Sequence, residues 1–223
     1  RGSLKKALGA ATEGGATDTM MEEFKAIVAE VLTPHASAIL LDPQWGIEPS
    51  RKRSSNAGLL LAYEESGYDN TRPGRLPDLL PHWSVERLKA AGADCIKVLI
   101  YYTPYDVTAV NEEKHAFIER IGDECRSNDI PFFLEFIGYD AEGGDEKGIE
   151  FASKKPDVVA GSMAEFSKDR YGVDVMKVEI PVNMKFVEGT ASYQGTKVYT
   201  RDEALGLFRK TAEVAPVSYT HLT

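Results

Sequence analysis

The chain reads as an α/β protein built on a parallel sheet, and three observations in its 223 residues predict that class. Strand-like and helix-like segments alternate along its length. Its strand-like runs are apolar on both faces, the mark of a parallel sheet covered by helices. Three successive runs each carry an ionisable residue: Lys97 in Cys95-Ile-Lys-Val-Leu-Ile-Tyr-Tyr102, Glu135 in Pro131-Phe-Phe-Leu-Glu-Phe-Ile137 and Lys177 in Val175-Met-Lys-Val-Glu-Ile-Pro181.

The elements follow in order. Thr19-Met-Met-Glu22 is a capping box, and Met20, Phe24, Ile27, Val28, Val31 and Leu32 follow at helical spacing until Pro34 stops the run. Ala38-Ile-Leu-Leu-Asp42 is a short strand ending in Asp-Pro, and residues 44–57 are polar and irregular, with Arg51, Lys52 and Arg53. Gly58-Leu-Leu-Leu-Ala-Tyr63 is a second strand, followed by a Gly-, Pro- and Arg-rich loop from Ser66 to Pro81. Ser84 to Ala91 is a helix that Gly92 ends. The Lys97 strand comes next. A helix from about Asn111 to Arg126 then places Phe117, Ile118, Ile121 and Cys125 on one face, and the Glu135 strand follows. Residues 138–150 are an acidic, Gly-rich loop, and Pro156 to Tyr171 is mostly helical. The Lys177 strand, a polar loop over Glu188 to Lys197 and a helix opened by the Thr200-Arg-Asp-Glu203 capping box complete the series.

Such alternation means either a doubly wound sheet or a (β/α)8 TIM barrel. No Gly-rich dinucleotide fingerprint follows any strand, and a barrel gathers several strands around one pocket, so the barrel fits better. Five strands are present. Arg1-Gly2 would trail a first strand outside this sequence, and a complete barrel takes about 250 residues. The expectation is an incomplete (β/α)8 barrel over residues 1–216, with the first strand and last two strands missing. Val217-Ser-Tyr-Thr-His-Leu-Thr223 reads as one frame of a sequencing adaptor and hence as a non-native tail; a genuine short strand is the alternative. The chain begins at Arg1, so an upstream signal peptide stays open.

A net charge of -9 argues against nucleic acid and anionic membrane as partners, while a local basic site could still take a phosphorylated metabolite. No apolar run approaches the ~20 residues a bilayer span needs. Cys95 and Cys125 lie in strand-like and helix-like segments with no metal-ligand or redox spacing, and read as reduced core residues. His35, His82 and His115 lie far apart with no metal-ligand spacing, so no metal is expected.

Lys and Glu are rarely buried without a partner. One such residue in a strand is more often a gatekeeper or a snorkelling side chain, and a buried Lys–Glu pair can be purely structural. Three on consecutive strands point to one shared polar site. An amine held among apolar groups and beside another ammonium can attack a ketone, and the resulting iminium is an electron sink. A carboxylate nearby can move the protons. The spacing leaves open which lysine is the nucleophile. Glu179 lies on the same face as Lys177, two residues on.

Several stretches make the family recognisable: Ile39-Leu-Leu-Asp-Pro43, Leu59-Leu-Leu-Ala-Tyr-Glu64, Arg75-Leu-Pro-Asp78, Trp83-Ser-Val-Glu-Arg-Leu-Lys-Ala-Ala-Gly-Ala-Asp94, Ile130-Pro-Phe-Phe-Leu-Glu135 and Gly172-Val-Asp-Val-Met-Lys-Val-Glu-Ile-Pro-Val-Asn-Met184. From Arg1 to about Pro216 the chain resembles the bacterial tagatose 1,6-bisphosphate aldolases, cytoplasmic class I enzymes of lactose and galactose catabolism on a (β/α)8 barrel. The resemblance implies that Lys177 is the Schiff-base lysine, Glu135 the proton-transfer residue and Lys97 a second active-site lysine. Arg1-Gly2 match the end of an Asp-Gln-Arg-Gly motif, which makes Arg1 a candidate substrate-binding residue. Asp42, at the end of a strand, is another, although Asp-Pro is also a common turn initiator. The implied partner is a phosphorylated ketose, with no cofactor, nucleic acid or membrane, and a homo-oligomer is compatible with it. Two alternatives remain: a relative acting on a sulfonated ketose phosphate, and a catalytically silent metabolite-sensing barrel.

Overall fold

The structure, a computed structural model, describes residues 2–69 and 71–215, together with the backbone of 221–222. The chain forms two compact units, each assembled from separated segments. The first comprises Arg1–Gly67, Asp78–Val98 and Glu124–Phe132, and the second Tyr68–Pro77, Leu99–Asp123 and Phe133–Thr223.

The first unit opens with two helices, α1 (Gly2–Ala10) and α2 (Asp18–Leu32). The expected capping box shifts: the cap is Thr17, whose hydroxyl accepts from the Met20 amide, two residues before the start read from the sequence. The face of α2 also differs from what its apolar spacing suggests. Met21, Lys25 and Ala29 are buried, whereas Phe24, Ile27, Val31 and Leu32 are exposed. Strand β1 (Ala38–Leu41) leads into α3 (Pro43–Ser50), where an irregular segment was expected. Its cap is Asp42, which accepts from the Trp45 amide, and Pro43 supplies a first-turn proline with no amide to satisfy. Strand β2 (Gly58–Ala62) and helix α4 (Val85–Ala90), capped by Ser84, follow. Strand β3 (Cys95–Tyr101) begins in this unit. The ladders are parallel: Ile39 pairs with Leu59 and Leu40 with Leu60, then Leu60 with Cys95 and Ala62 with Lys97. The Asp94 carboxylate accepts from the Leu59 amide at 2.8 Å and so fastens the start of β2. The buried side chains include Leu59, Leu61, Leu88, Ile96 and Phe132, each contributing about 1.5–3 kcal/mol on burial.

The second unit receives the end of β3, helix α5 (Thr108–Ser127, whose last residues lie in the first unit), strand β4 (Phe132–Ile137), helix α6 (Ile149–Phe166) and strand β5 (Val175–Val178). Helix α6 starts within the segment expected to be a loop and carries Pro156 inside it. Phe133 pairs with Val175 and Glu135 with Lys177, again in parallel. Backbone bonds from Ile96 to Pro131 in the first unit and from Tyr102 to Ile137 in the second continue the pairing from β3 to β4. Strands β1 to β5 therefore run side by side in chain order. That sequential order belongs to a barrel, since a doubly wound sheet reverses at a switch point. Two short strands, β6 (Val187–Glu188) and β7 (Tyr199–Thr200), pair with each other ahead of α7 (Arg201–Val214), which has the full capping box expected at Thr200 and Glu203. The expected tail lies outside the described residues except for β8 (His221–Leu222), whose backbone runs parallel to β5.

Rings of Tyr102, Phe136, Phe166 and Tyr171 fill the space under α5 and α6, with the Tyr102 hydroxyl 2.9 Å from His115 Nε2. Gly122 of α5 crosses this region so closely that a Cβ there would lie 1.9 Å from the Tyr171 carbonyl oxygen. Both groups are backbone, so neither can turn aside. Gly122→Ala is expected to destabilise the native protein by about 3 kcal/mol. The midpoint of urea unfolding measures this; a shift worth under ~1 kcal/mol would mean that α5 moves away at little cost.

Candidate active site

Strand alternation selects the reactive face. In β4, Phe132, Leu134 and Phe136 are buried, which turns Glu135 to the opposite face; in β5, Met176 and Val178 are buried, which does the same to Lys177. Because the two residues are direct partners in the parallel ladder, their side chains meet, with Lys177 Nζ donating to Glu135 Oε1 at 2.7 Å. The side chain of Lys177 is 36% exposed and that of Glu135 14%. The amine is therefore within reach of a solute, while its carboxylate partner is shielded. A charge-assisted bond of this length is also a direct path for a proton, so the lysine can shed the proton that blocks its lone pair without passing it through bulk water.

The seam between these strands does not end where the backbone ladder does. β5 stops at Val178, short of the Pro181 expected from sequence, and the Glu179 side chain takes over. Its Oε2 accepts from the Gly138 amide at 2.7 Å, and its Oε1 accepts from Lys155 Nζ at 3.0 Å. Gly138 leaves room for this, since a Cβ there would lie 3.3 Å from that same Oε2 and 2.9 Å from Val158 Cγ1. Beyond the C-terminal ends of β4 and β5 lies a cavity of about 570 Å³, whose lining includes Arg75, Gly138, Lys155 and Glu179.

In the first unit, Lys97 is buried in β3, and its Nζ donates to Glu64 Oε1 at 3.0 Å. Glu64 lies two residues past the end of β2 and is buried too. Asp42, directly after β1, is ion-paired with the buried Lys25 of α2, while its other oxygen caps α3. Asp42 and Glu64, just past the ends of β1 and β2, and Lys97, inside β3, are thus each held in an ion pair. Sequence reading named Lys97 and Asp42 and missed Glu64 and Lys25. Glu64 closes one of the recognisable stretches, and its place just beyond an apolar strand was the available signal. Arg1 lies outside the described residues. Of the loop cations, Arg51 pairs with Glu48 and Arg53 donates to the Ser50 and Ala57 carbonyls, which are structural uses. Lys114 of α5 was also missed: it is fully buried, and burial brings its amine down to about 8.

The profile described as DeoC/LacD family aldolase matches residues 4–220. Tagatose 1,6-diphosphate aldolase 2 of Enterococcus faecalis is 49% identical over the whole chain, which spans 66% of that protein's length. Tagatose 1,6-diphosphate aldolase 1 of Streptococcus mutans is 47% identical, with 68% of its length covered, and a Listeria monocytogenes tagatose 1,6-diphosphate aldolase is 49% identical, with 65% covered. Among solved structures, an archaeal fructose 1,6-bisphosphate aldolase superposes with a TM-score of 0.51 at 14% identity, covering 92% of this chain and 79% of its own. Cgl0159 from Corynebacterium glutamicum gives 0.51 at 14% identity, covering 98% and 75%. At such identity the likeness is one of fold.

Proposed function

This chain belongs to the DeoC/LacD family of aldolases, and from that premise we propose that it carries the iminium-forming site of a class I aldolase acting on D-tagatose 1,6-bisphosphate. The observation that carries the reading is the Lys177–Glu135 pair, in register on adjacent strands and joined at 2.7 Å. The reaction is a reversible retro-aldol cleavage in the cytoplasm. Lys177, its proton passed to Glu135, attacks the C2 carbonyl, and loss of water gives the iminium. Glu135, having given that proton to the departing water, takes one from the C4 hydroxyl as the C3–C4 bond breaks. The electron pair of that bond moves into the iminium to give an enamine, and glyceraldehyde 3-phosphate departs. Protonation at C3 and hydrolysis of the iminium release dihydroxyacetone phosphate and restore the amine. Lys97, ion-paired with Glu64, is the second lysine that the resemblance implies, and it is not consumed.

The test is covalent. Borohydride added to the native protein with dihydroxyacetone phosphate should reduce the iminium to a secondary amine, and peptide mass spectrometry should find the added mass on Lys177. A label on Lys97 would exchange the roles of the two lysines. Full activity without any label would remove the Schiff base from the mechanism.

A further inference from the structure

The Lys177–Glu135 pair stands at the end of its ladder. Phe133 pairs with Val175, Leu134 with Met176 and Glu135 with Lys177, and β5 stops one residue later, at Val178. A terminal pair is the first to fray, because backbone bonds hold it from one side only. The sequence limits any extension, since Pro181 has no amide to give a ladder.

Beyond that point a side chain joins the two strands. Glu179 Oε2 accepts from the Gly138 amide at 2.7 Å. A group two residues after Lys177 thus binds backbone three residues after Glu135. Continued by two residues, the register sets Glu179 level with Ile137, one residue short of Gly138, and the glutamate side chain spans the difference. The carboxylate is held from its other side by Lys155, whose Nζ donates to Oε1 at 3.0 Å, with both side chains partly buried. Lys155 belongs to α6, the helix that connects β4 to β5. One clamp therefore ties both strands and their crossover. A partly screened ion pair adds little stability in itself. What singles this one out is its place, immediately beyond the 2.7 Å contact that the proposed chemistry uses.

We propose that Glu179 is a positioning residue: by clamping the end of β5 to β4 it keeps Lys177 Nζ within hydrogen-bond reach of Glu135, so that the lysine's proton crosses directly. The inference rests on the proposed aldolase reading, since it presumes Lys177 as the nucleophile. It has a signature in pH. Proton transfer within the pair leaves the number of bound protons unchanged, so amine formed by that route does not depend on pH. Once the pair is separated, the lysine must lose its proton to solvent, and the amine fraction climbs as pH rises. The charged groups of the elements around Lys177 are Glu135 of β4, Lys155 of α6 and Glu179 itself. His221 of β8 is level with Lys177 in the backbone register. Its titration is common to wild type and variants, so it cancels in a ratio of rates.

The test is cyanoborohydride trapping of dihydroxyacetone phosphate at Lys177 in the native protein, read as the ratio of variant to wild-type rate from about pH 6.5 to about pH 9. Glu179→Ala should lower the ratio about tenfold at the acid end, the scale of one lost charge-assisted hydrogen bond, and the ratio should climb toward one as pH rises. That recovery also certifies that the variant folds. Glu179→Asp keeps the charge but reaches one methylene less far, and should behave as alanine does. Glu179→Gln keeps the reach and an oxygen for the Gly138 amide, and should stay within about threefold of wild type. The reverse ranking, with aspartate harmless and glutamine harmful, would mean that the charge acts on Lys177 and would overturn the proposal. So would a loss equal at every pH, which a general loosening of the fold produces. In Glu135→Gln the direct route is already gone, so adding Glu179→Ala should change trapping by less than about twofold; a further tenfold loss there would overturn the assignment too. If Glu179→Ala does not fold, the aspartate and glutamine variants decide alone. If wild-type protein itself fails to trap dihydroxyacetone phosphate at Lys177, the aldolase reading falls. Normal wild-type trapping with no effect of Glu179→Ala removes this inference alone.

Discussion

Replacing Lys177 by alanine is expected to abolish both turnover and the borohydride-trapped adduct. The retro-aldol step leaves a pair of electrons on C3, and an unassisted ketone accepts it poorly near neutral pH. In the proposed mechanism an iminium accepts it, and only an amine within reach of C2 can form one. A loss of about 10⁴-fold or more corresponds to removing roughly 5.5 kcal/mol of transition-state stabilisation. The substitution removes a side chain from the more open face of β5, away from Met176 and Val178, so the fold should persist. Its cost falls on Glu135, which loses a 2.7 Å partner and is left as a shielded carboxylate. Lys177→Met, longer and apolar, controls for that void. Chelators should leave the wild-type rate unchanged, because the iminium takes the place a metal ion would hold as electron sink. Turnover surviving in Lys177→Ala at more than about 1% of wild type, with trapping transferred elsewhere, would show that another amine forms the adduct.

The sequence made this pair legible for a definite reason. A strand with one polar residue among apolar neighbours has only two faces, so Glu135 and Lys177 had to oppose Phe132, Leu134, Met176 and Val178. Sequential parallel pairing then brought them to one level. The same reasoning located Lys97 but could not supply Glu64, because Glu64 lies past the end of its strand, where period-two alternation no longer holds. Helix α2 misled for the opposite reason. Its apolar spacing is a genuine helical signal, yet the face turned inward carries Lys25, whose burial depends on Asp42 seventeen residues on. Helix α3 was read as loop because Gly46 and Pro49 lower propensity, whereas the Asp42 cap and first-turn Pro43 outweigh them. Arg75 lies in a recognisable motif, but its surroundings were not legible there, because they depend on the backbone of Gly74 and on Tyr68, Tyr101 and Tyr139.

Glu135→Gln should separate formation of the adduct from its cleavage. The amide keeps the size of the side chain and an oxygen to accept from Lys177, so the hydrogen bond across the β4–β5 seam can survive. What it loses is basicity. It cannot hold the proton that leaves the C4 hydroxyl, and general acid–base assistance of that kind is worth about 10²–10⁴-fold in rate. Cleavage of tagatose 1,6-bisphosphate should fall by that factor, while borohydride trapping with dihydroxyacetone phosphate should persist at a reduced rate, since water can still carry the lysine's proton away. Single-turnover kinetics distinguishes the two steps: the adduct should appear before, and faster than, any glyceraldehyde 3-phosphate. If trapping and cleavage instead decline by the same factor, the principal task of Glu135 is to free the Lys177 lone pair, and the C4 proton must leave by another base. The direct 2.7 Å contact makes both tasks geometrically available to one carboxylate.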